Sequence, residues 1–337
     1  MRDKLPAPRV SRIGLFISVV VLVMLVLFTL IHLSEARRFT SLIEHAEPSW
    51  VVLALVLQLA TYACAGAIWR PVAAAAGFRL RLLQLGRLAI EKLSVDQLIP
   101  TGGMSGNLLV ARAMRQLGLP GSVATEALMI DILGYYVAYA LVTAATFGIL
   151  WLHHEVARFF LALVVLFGVV LASVPVIAWW LLEHRDWKPG PRLARVSVIR
   201  SFLRALEGVS PDRIRDPRLL ATATGFHLGI FLLDAGTLWA LLQSTGTSLH
   251  PPTAFAGLVV GSLAGTISFL PGGLGSFEAG CTASLALLGV PVEAALTGTL
   301  FLRGLTLWIP LIPGILLARR DLSHARSNRN EDDGTRQ

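Results

Sequence analysis

Apolar residues in this chain run in blocks rather than at intervals. Six blocks, at 13–33, 50–69, 122–151, 159–182, 219–243 and 294–318, have the length of membrane-crossing helices, which need about 20 residues. Trp50 and Trp69 bracket the second block, as aromatics at a membrane interface do. Two further apolar stretches are interrupted: 88–119 by Pro100-Thr101-Gly102-Gly103, and 256–288 by Pro271-Gly272-Gly273-Leu274-Gly275. Proline lacks the backbone donor and glycine carries the largest backbone entropy cost, so both break helices. Each stretch predicts two half-helices of about 14 residues, too short to cross separately. They read as re-entrant hairpins; two crossing helices broken in the middle are the alternative. The expected fold is all-α and polytopic, with about six spanning helices and two re-entrant hairpins.

Charge orients these blocks. Arg2, Lys4, Arg9 and Arg12 precede the first, which is too long for a signal sequence and lacks a small-residue cleavage site, so it reads as a retained helix. Positive residues mark the cytoplasmic side, which places the N-terminus inside. Arg70, Arg79, Arg81 and Arg87 then follow span two inside, and the arginine-rich loop at 183–218 follows span four inside. Span five leads out to the uncharged 244–253, and span six returns to Arg319 and Arg320. Arg37 and Arg38 fall outside in this scheme, where Glu35, Glu44 and Glu47 share their loop. Leu193, Val196, Ile199, Leu203 and Leu206 recur at helical spacing among the arginines, the pattern of a helix lying in the interface; a solvated linker is the alternative. The tail at 321–337 is polar and reads as disordered and cytoplasmic. Residues 1–320 thus form one transmembrane domain in the cytoplasmic membrane.

Composition narrows the class. The chain is 55% hydrophobic and 15% charged, which leaves no polar stretch of soluble-domain size. The net charge of +8 fits cytoplasmic loops meeting an anionic membrane surface. No basic region stands apart from the membrane blocks, so nucleic acid is not an expected partner. Cys64 and Cys281 sit inside apolar runs without metal-ligand spacing and read as packing residues. No HExxH, Walker loop, GxSxG or zinc spacing is present, and His153-His154 is adjacent rather than spaced for a metal. The expectation is a protein that is not an enzyme and uses no cofactor.

The two interrupted stretches repeat each other. Pro100 aligns with Pro271, and Leu117-Gly118-Leu119-Pro120 with Leu288-Gly289-Val290-Pro291, at one offset of 171 (271 − 100 and 291 − 120). Gly102/Gly273, Ser105/Ser276 and Ala124/Ala295 coincide at the same offset, which also carries span two onto span five and span three onto span six. The halves are about 50–151 and 219–318. Span two runs out to in and span five in to out, so the repeat is inverted, the arrangement many secondary transporters use for alternating access.

Ionisable groups inside spans are costly and mark function by default. They are Glu126 and Asp131 in span three, His227 and Asp234 in span five, and Arg303 in span six. Glu126 and His227, nearer the span ends, read as interfacial. Glu278 follows the second break by one turn, and Glu91, Lys92, Asp96, Asn107 and Arg112 flank the first. Arg303 is one position from the repeat-mate of Asp131, which predicts that the two face one cavity. Half-helices starting at Gly102, Gly103, Gly272, Gly273 and Gly275 would aim free N–H groups at the midplane, with Ser105 and Ser276 as caps. A lipid phosphate would suit those N-termini with Arg303 or Arg112. Glu278, Asp131 or Asp234 would meet a cationic headgroup or balance the arginines; pairing of these charges with one another to hold the bundle together is the alternative. Pro310 and Pro313 predict a kink in the last span.

The segment Ile99-Pro100-Thr101-Gly102-Gly103 through Gly118, with Asp131 beyond it, and the segment Leu270-Pro271-Gly272-Gly273-Leu274-Gly275-Ser276-Phe277-Glu278 with Arg303, resemble the lysylphosphatidylglycerol synthase transmembrane family. That family is the flippase-like membrane region of the multiple peptide resistance factor. The resemblance runs from about Ile13 to Arg320, and the second segment is the more specific. It implies translocation of a phospholipid or lipid-linked headgroup between leaflets. The soluble aminoacyl transferase domain of the full-length synthases is not expected here, since the chain stops at Gln337, and the lysyl-lipid assignment does not transfer. Two other functions remain open: an integral membrane enzyme acting on a lipid or polyprenyl-phosphate headgroup, and an accessory subunit of a cell-envelope lipid synthase or glycosyltransferase.

Overall fold

The computed structural model describes residues 47–98, 104–152, 158–184, 210–268, 270–308 and 310. The first predicted span, Pro100 to Gly103 at the first break, His153-His154, the predicted interfacial helix, Pro313 and the tail lie outside the described residues. Every regular element among the described residues is helical. In chain order these are α1 Pro48–Ala67, the short α2 Arg70–Ala75, α3 Leu82–Leu98, α4 Met104–Gln116, α5 Gly121–Leu152 and α6 Arg158–Glu183. There follow the single turn α7 Pro211–Ile214, α8 Pro217–Ser244, α9 Pro251–Ile267, a 3-10 turn Pro271–Gly273, α10 Ser276–Leu287, α11 Val292–Arg303 and a π turn Gly304–Trp308.

Three helical segments, Pro48–Ala75, Gly121–Leu152 and Pro217–Ser244, are long and apolar enough to cross a membrane. They correspond to predicted spans two, three and five. Predicted span four is α6, whose apolar section is Val164–Trp180. Its Val165, Leu166, Val169, Val170, Val176 and Ile177 are exposed, an apolar face that suits lipid. Predicted span six begins as α11.

Sequence fixes where these helices start and stop. Proline occupies a first-turn position in α1, α8 and α9, where its missing donor has no cost. Asp216 caps α8 by accepting from Arg218 N at 2.9 Å. Pro71 leaves Ala67 O without its intrahelical donor, which separates α1 from α2. Trp69 sits at that junction and is 1% exposed, so it belongs to the bundle interior and not to a membrane interface as the sequence suggested.

α8 is the central helix, packed against α1, α5, α9 and α11. Close approach depends on small residues. Gly134 of α5 meets Ala223 of α8, and Gly298 of α11 meets Leu242 of α8, each so closely that an added Cβ would fall within 3 Å.

Both interrupted stretches fold back on themselves. α9 and α10 pack together, as do α3 and α4. In the second hairpin Gly257 faces Leu285, Gly261 faces Cys281 and Gly265 faces Phe277; the partners step in opposite directions four residues at a time, so the arms run antiparallel. In the first, Gly106 N donates to Asp96 Oδ1 at 2.9 Å across the hairpin. In the second hairpin the antiparallel arms exclude a single crossing helix with a break in its middle. The arms have 17 and 13 residues in the first hairpin and 17 and 12 in the second. At about 1.5 Å per residue none exceeds about 26 Å, short of a hydrocarbon core of about 30 Å.

The 171-residue offset reappears in the backbone. It carries α1 onto α8, α3 onto α9, α4 onto α10 and the start of α5 onto that of α11. Gly118 has φ +90° and Gly289 φ +88°. Leu119 N donates to Met114 O at 3.1 Å and Val290 N to Leu285 O at 3.0 Å, while Gly118 N and Gly289 N donate to Arg115 O and Ala286 O at 3.0 Å each. Both are Schellman ends, in which a left-handed glycine closes the helix, and each of these backbone donors and acceptors maps onto its counterpart by the same offset.

Candidate functional site

The second hairpin builds a compact charged centre. After α9 the chain turns through Gly272, Gly273 and Gly275 at φ of 59°, 64° and 81°, a region open to glycine at little cost. Gly273 also approaches α9 so closely that a Cβ would lie 2.8 Å from Gly265 Cα. The turn delivers Glu278 to the third position of α10. There its Oε2 accepts from Gly275 N at 2.6 Å, half of a capping box. Its other oxygen, Oε1, accepts from Arg303 Nε at 2.7 Å. Arg303 also donates through Nη2 to Gly272 O, and its guanidinium lies 4.8 Å from the centre of the Phe277 ring, within cation–π range. Arg303 and Glu278 are both buried.

Arg303 ends α11, where the helix loosens into the π turn. Pro310 cannot donate to carbonyls one turn before it. Tyr62 OH caps Leu305 O at 2.7 Å, and Gln97 Nε2 caps Thr306 O at 3.2 Å. Ser94 Oγ reaches Pro310 O at 3.0 Å. Residues of α1 and α3 thus bind the loosened segment next to Arg303.

Asp131 lies elsewhere. Its Oδ2 accepts from Trp69 Nε1 at 2.9 Å and its Oδ1 pairs with His227 Nε2 at 2.8 Å. The structure therefore pairs Arg303 with Glu278 and Asp131 with His227. Glu126 and His227 are buried. Glu126 accepts from Arg213 Nη1 at 2.6 Å and from Ser210 N at 3.0 Å, which ties the end of the basic loop to α5.

Asp234 faces α1, where its Oδ1 accepts from Thr61 Oγ1 at 3.1 Å. Near the first break, Lys92 bonds Asp96 at 3.0 Å and Arg87 bonds the buried Glu91 at 2.9 Å. Asn107, the repeat-mate of Glu278, holds a buried Oδ1 without a partner among the described residues, and Arg112 is exposed. The serines do not cap: Gly275 is the N-cap of α10, and Ser276 Oγ donates to Ser268 Oγ at 2.7 Å or Gly273 O at 3.0 Å. Ser105 falls inside α4. Cys281 is buried and accepts from Thr299 Oγ1 at 3.3 Å, a packing role.

Of the sequence candidates, Gly272, Gly273, Gly275, Glu278 and Arg303 come together. Phe277, Trp69, Gln58 and Thr61 were not singled out as site residues, and His227 was read as interfacial. His227 and Asp234 are seven residues apart, two turns of one helix, and that spacing was the available signal. Among the described residues no group of three or more His, Cys, Asp or Glu side chains is arranged to hold a metal.

A family model described as the lysylphosphatidylglycerol synthase TM region matches residues 13–314, most of the chain. No curated protein matches it.

Proposed function

The chain belongs to the lysylphosphatidylglycerol synthase TM region family, and from that premise we propose that it moves a phospholipid or lipid-linked headgroup between the leaflets of the cytoplasmic membrane, without catalytic chemistry of its own. The observation that carries the reading is the buried Arg303–Glu278 pair at the turn of the second hairpin. Arginine offers five N–H donors, and two are spent on Glu278 and Gly272. A headgroup phosphate entering here bonds the guanidinium bidentately. A cationic group on the same lipid takes the carboxylate that Arg303 releases. The exchange keeps each buried charge paired, and an unpaired one would cost several kcal/mol, roughly 3–5.

Translocation needs this centre exposed to each leaflet in turn. In the proposed topology both termini are cytoplasmic, the repeat is inverted, and the hairpins enter from opposite faces. Rocking of one half against the other then alternates access while the acyl chains stay in lipid. The arginine-rich loop rests against anionic headgroups. A lipid synthase or glycosyltransferase is the natural partner, as the source or consumer of the moved lipid.

Reconstitution tests this. Proteoliposomes carrying headgroup-labelled phospholipids, of several headgroup types, are exposed to dithionite with and without a pH gradient and a membrane potential. Quenching of the inner-leaflet label faster than in empty liposomes, without ATP, is the expected result. Headgroup turnover by the purified protein would instead indicate an enzyme. Quenching at the empty-liposome rate under every condition, with folded protein, would indicate an accessory subunit.

A further inference from the structure

The α1–α8 interface holds a carboxylate with no cationic partner among the described residues. Asp234 Oδ1 accepts from Thr61 Oγ1 at 3.1 Å, and the side-chain amide of Gln58 also hydrogen-bonds the same carboxyl. Thr61 and Gln58 are buried, 6% and 4% exposed.

Two acceptors beside Asp234 share a hydrogen or lack one. The single hydroxyl proton of Thr61 is claimed twice, by Asp234 Oδ1 and by Leu57 O at 3.2 Å. Gln58 Oε1 is buried without any donor. Buried acceptors without donors are rare in folded proteins and call for an explanation. An ionised carboxylate adds acceptors and brings no donor. A protonated one supplies the missing hydrogen: its O–H donates to Gln58 Oε1 or to Thr61 Oγ1, and Thr61 then keeps its bond to Leu57 O. The amide orientation of Gln58 is free to suit, since its oxygen and nitrogen exchange by a half-turn.

Among the described residues no neighbouring charge competes for this role. Facing Asp234 from α1 is Tyr62, whose hydroxyl is spent on Leu305 O at 2.7 Å. On α5, Asp131 is bonded to His227 and Trp69, and Glu126 to Arg213. On α11, Arg303 is bonded to Glu278 and Glu293 is exposed. Arg70 of α2 is exposed, and α9 carries no ionisable side chain.

We propose that Asp234, with Gln58 and Thr61, is a proton-binding site: the carboxyl holds a proton in this conformation and releases it to water when α1 and α8 separate. α1 and α8 are repeat-mates, so the site lies on the seam between the two halves. Intramembrane carboxyls serve as proton relays in pumps and transporters. The link to transport rests on the translocation reading; the proton site itself does not.

Infrared difference spectroscopy of the full chain in lipid nanodiscs, recorded across a pH titration, tests the site without any transport assay. The expected result is a protonated carboxylic C=O band at neutral pH that is lost on alkalinisation and absent in Asp234→Asn. In Gln58→Leu, which removes the acceptor, the same band shifts. A wild-type protein without such a band, or a band that survives Asp234→Asn, overturns the proposal. Should Asp234→Asn fail to accumulate, Gln58→Leu decides: a shifted band supports the site, and an unmoved one overturns it.

Discussion

Arg303 Nε and Glu278 Oε1 meet at 2.7 Å, joining the end of α11 to the first turn of α10 within the interior of the bundle. The contact is at once a structural clamp and the proposed lipid site, and variants separate the two. Arg303→Ala leaves Glu278 buried and unpaired, at a cost of about 3–5 kcal/mol. Replacing both, as Arg303→Met with Glu278→Leu, removes the charges together and is close to neutral for stability. Thermal unfolding in detergent should show a lowered midpoint in the single variant and recovery in the double one. Dithionite quenching should show transport lost in both. A double variant that regained transport would reduce the pair to a clamp.

Asp131 gives a second measurable relationship. Trp69→Phe keeps an aromatic ring in place but removes the indole N–H that Asp131 Oδ2 accepts at 2.9 Å. A buried acceptor left unsatisfied costs about 1–3 kcal/mol. The unfolding midpoint should fall, and the loss should shrink when Asp131→Asn is already present. Equal losses in both backgrounds would show that Trp69 acts through packing alone.

Helix contact at Gly66 is tighter than at the glycine it faces. A Cβ on Gly66 would lie 2.6 Å from Gly86 N and 2.7 Å from Gly86 Cα, whereas a Cβ on Gly86 would meet nothing within 4 Å. Gly66→Ala forces α1 from α3 and should destabilise by about 1–3 kcal/mol. Gly86→Ala should be neutral or stabilise by up to about 1 kcal/mol, because it only removes backbone freedom from a helix interior. Chemical denaturation of the two variants side by side would reveal the asymmetry, and similar midpoints would contradict the packing described here.

The breaks and the repeat were legible because proline and glycine act locally. Pro271-Gly272-Gly273 must interrupt a helix wherever it lies, and Gly118 and Gly289 close helices through their own φ angles. Partners were not legible, because they depend on how each helix is rotated against the next. Near-symmetric numbering suggested a cavity shared by Arg303 and Asp131 but could not name their partners, Glu278 and His227, which helix rotation selects. Trp69 resembled an interfacial aromatic only because the apolar block ended there; Pro71 lets the chain continue as α2, so the indole is enclosed. The hairpin register escaped too, although Gly257, Gly261 and Gly265 recur every four residues, the spacing that admits a close neighbour.

Gln116 and Leu287 occupy the same place in the two halves, 171 residues apart, each the last residue of a hairpin's second arm. Both are exposed, and both precede a Schellman glycine, Gly118 or Gly289. Local structure therefore makes them equivalent, and only the membrane can distinguish them. In the proposed topology α5, α6 and α8 cross between them. In that topology each hairpin returns to the side it entered from. Three crossings are odd, so the two positions must face opposite sides. Gln116→Cys and Leu287→Cys, each in a Cys64→Ser/Cys281→Ser background, would be treated with a membrane-impermeant maleimide in intact cells and in inverted vesicles. Leu287→Cys should label from outside and Gln116→Cys only in inverted vesicles. The native cysteines can be removed for this purpose, since Cys64 and Cys281 are free thiols. Labelling of both positions from one side would make the number of crossings even. The repeat would then be parallel, and alternating access by rocking inverted halves would have no structural basis in this fold.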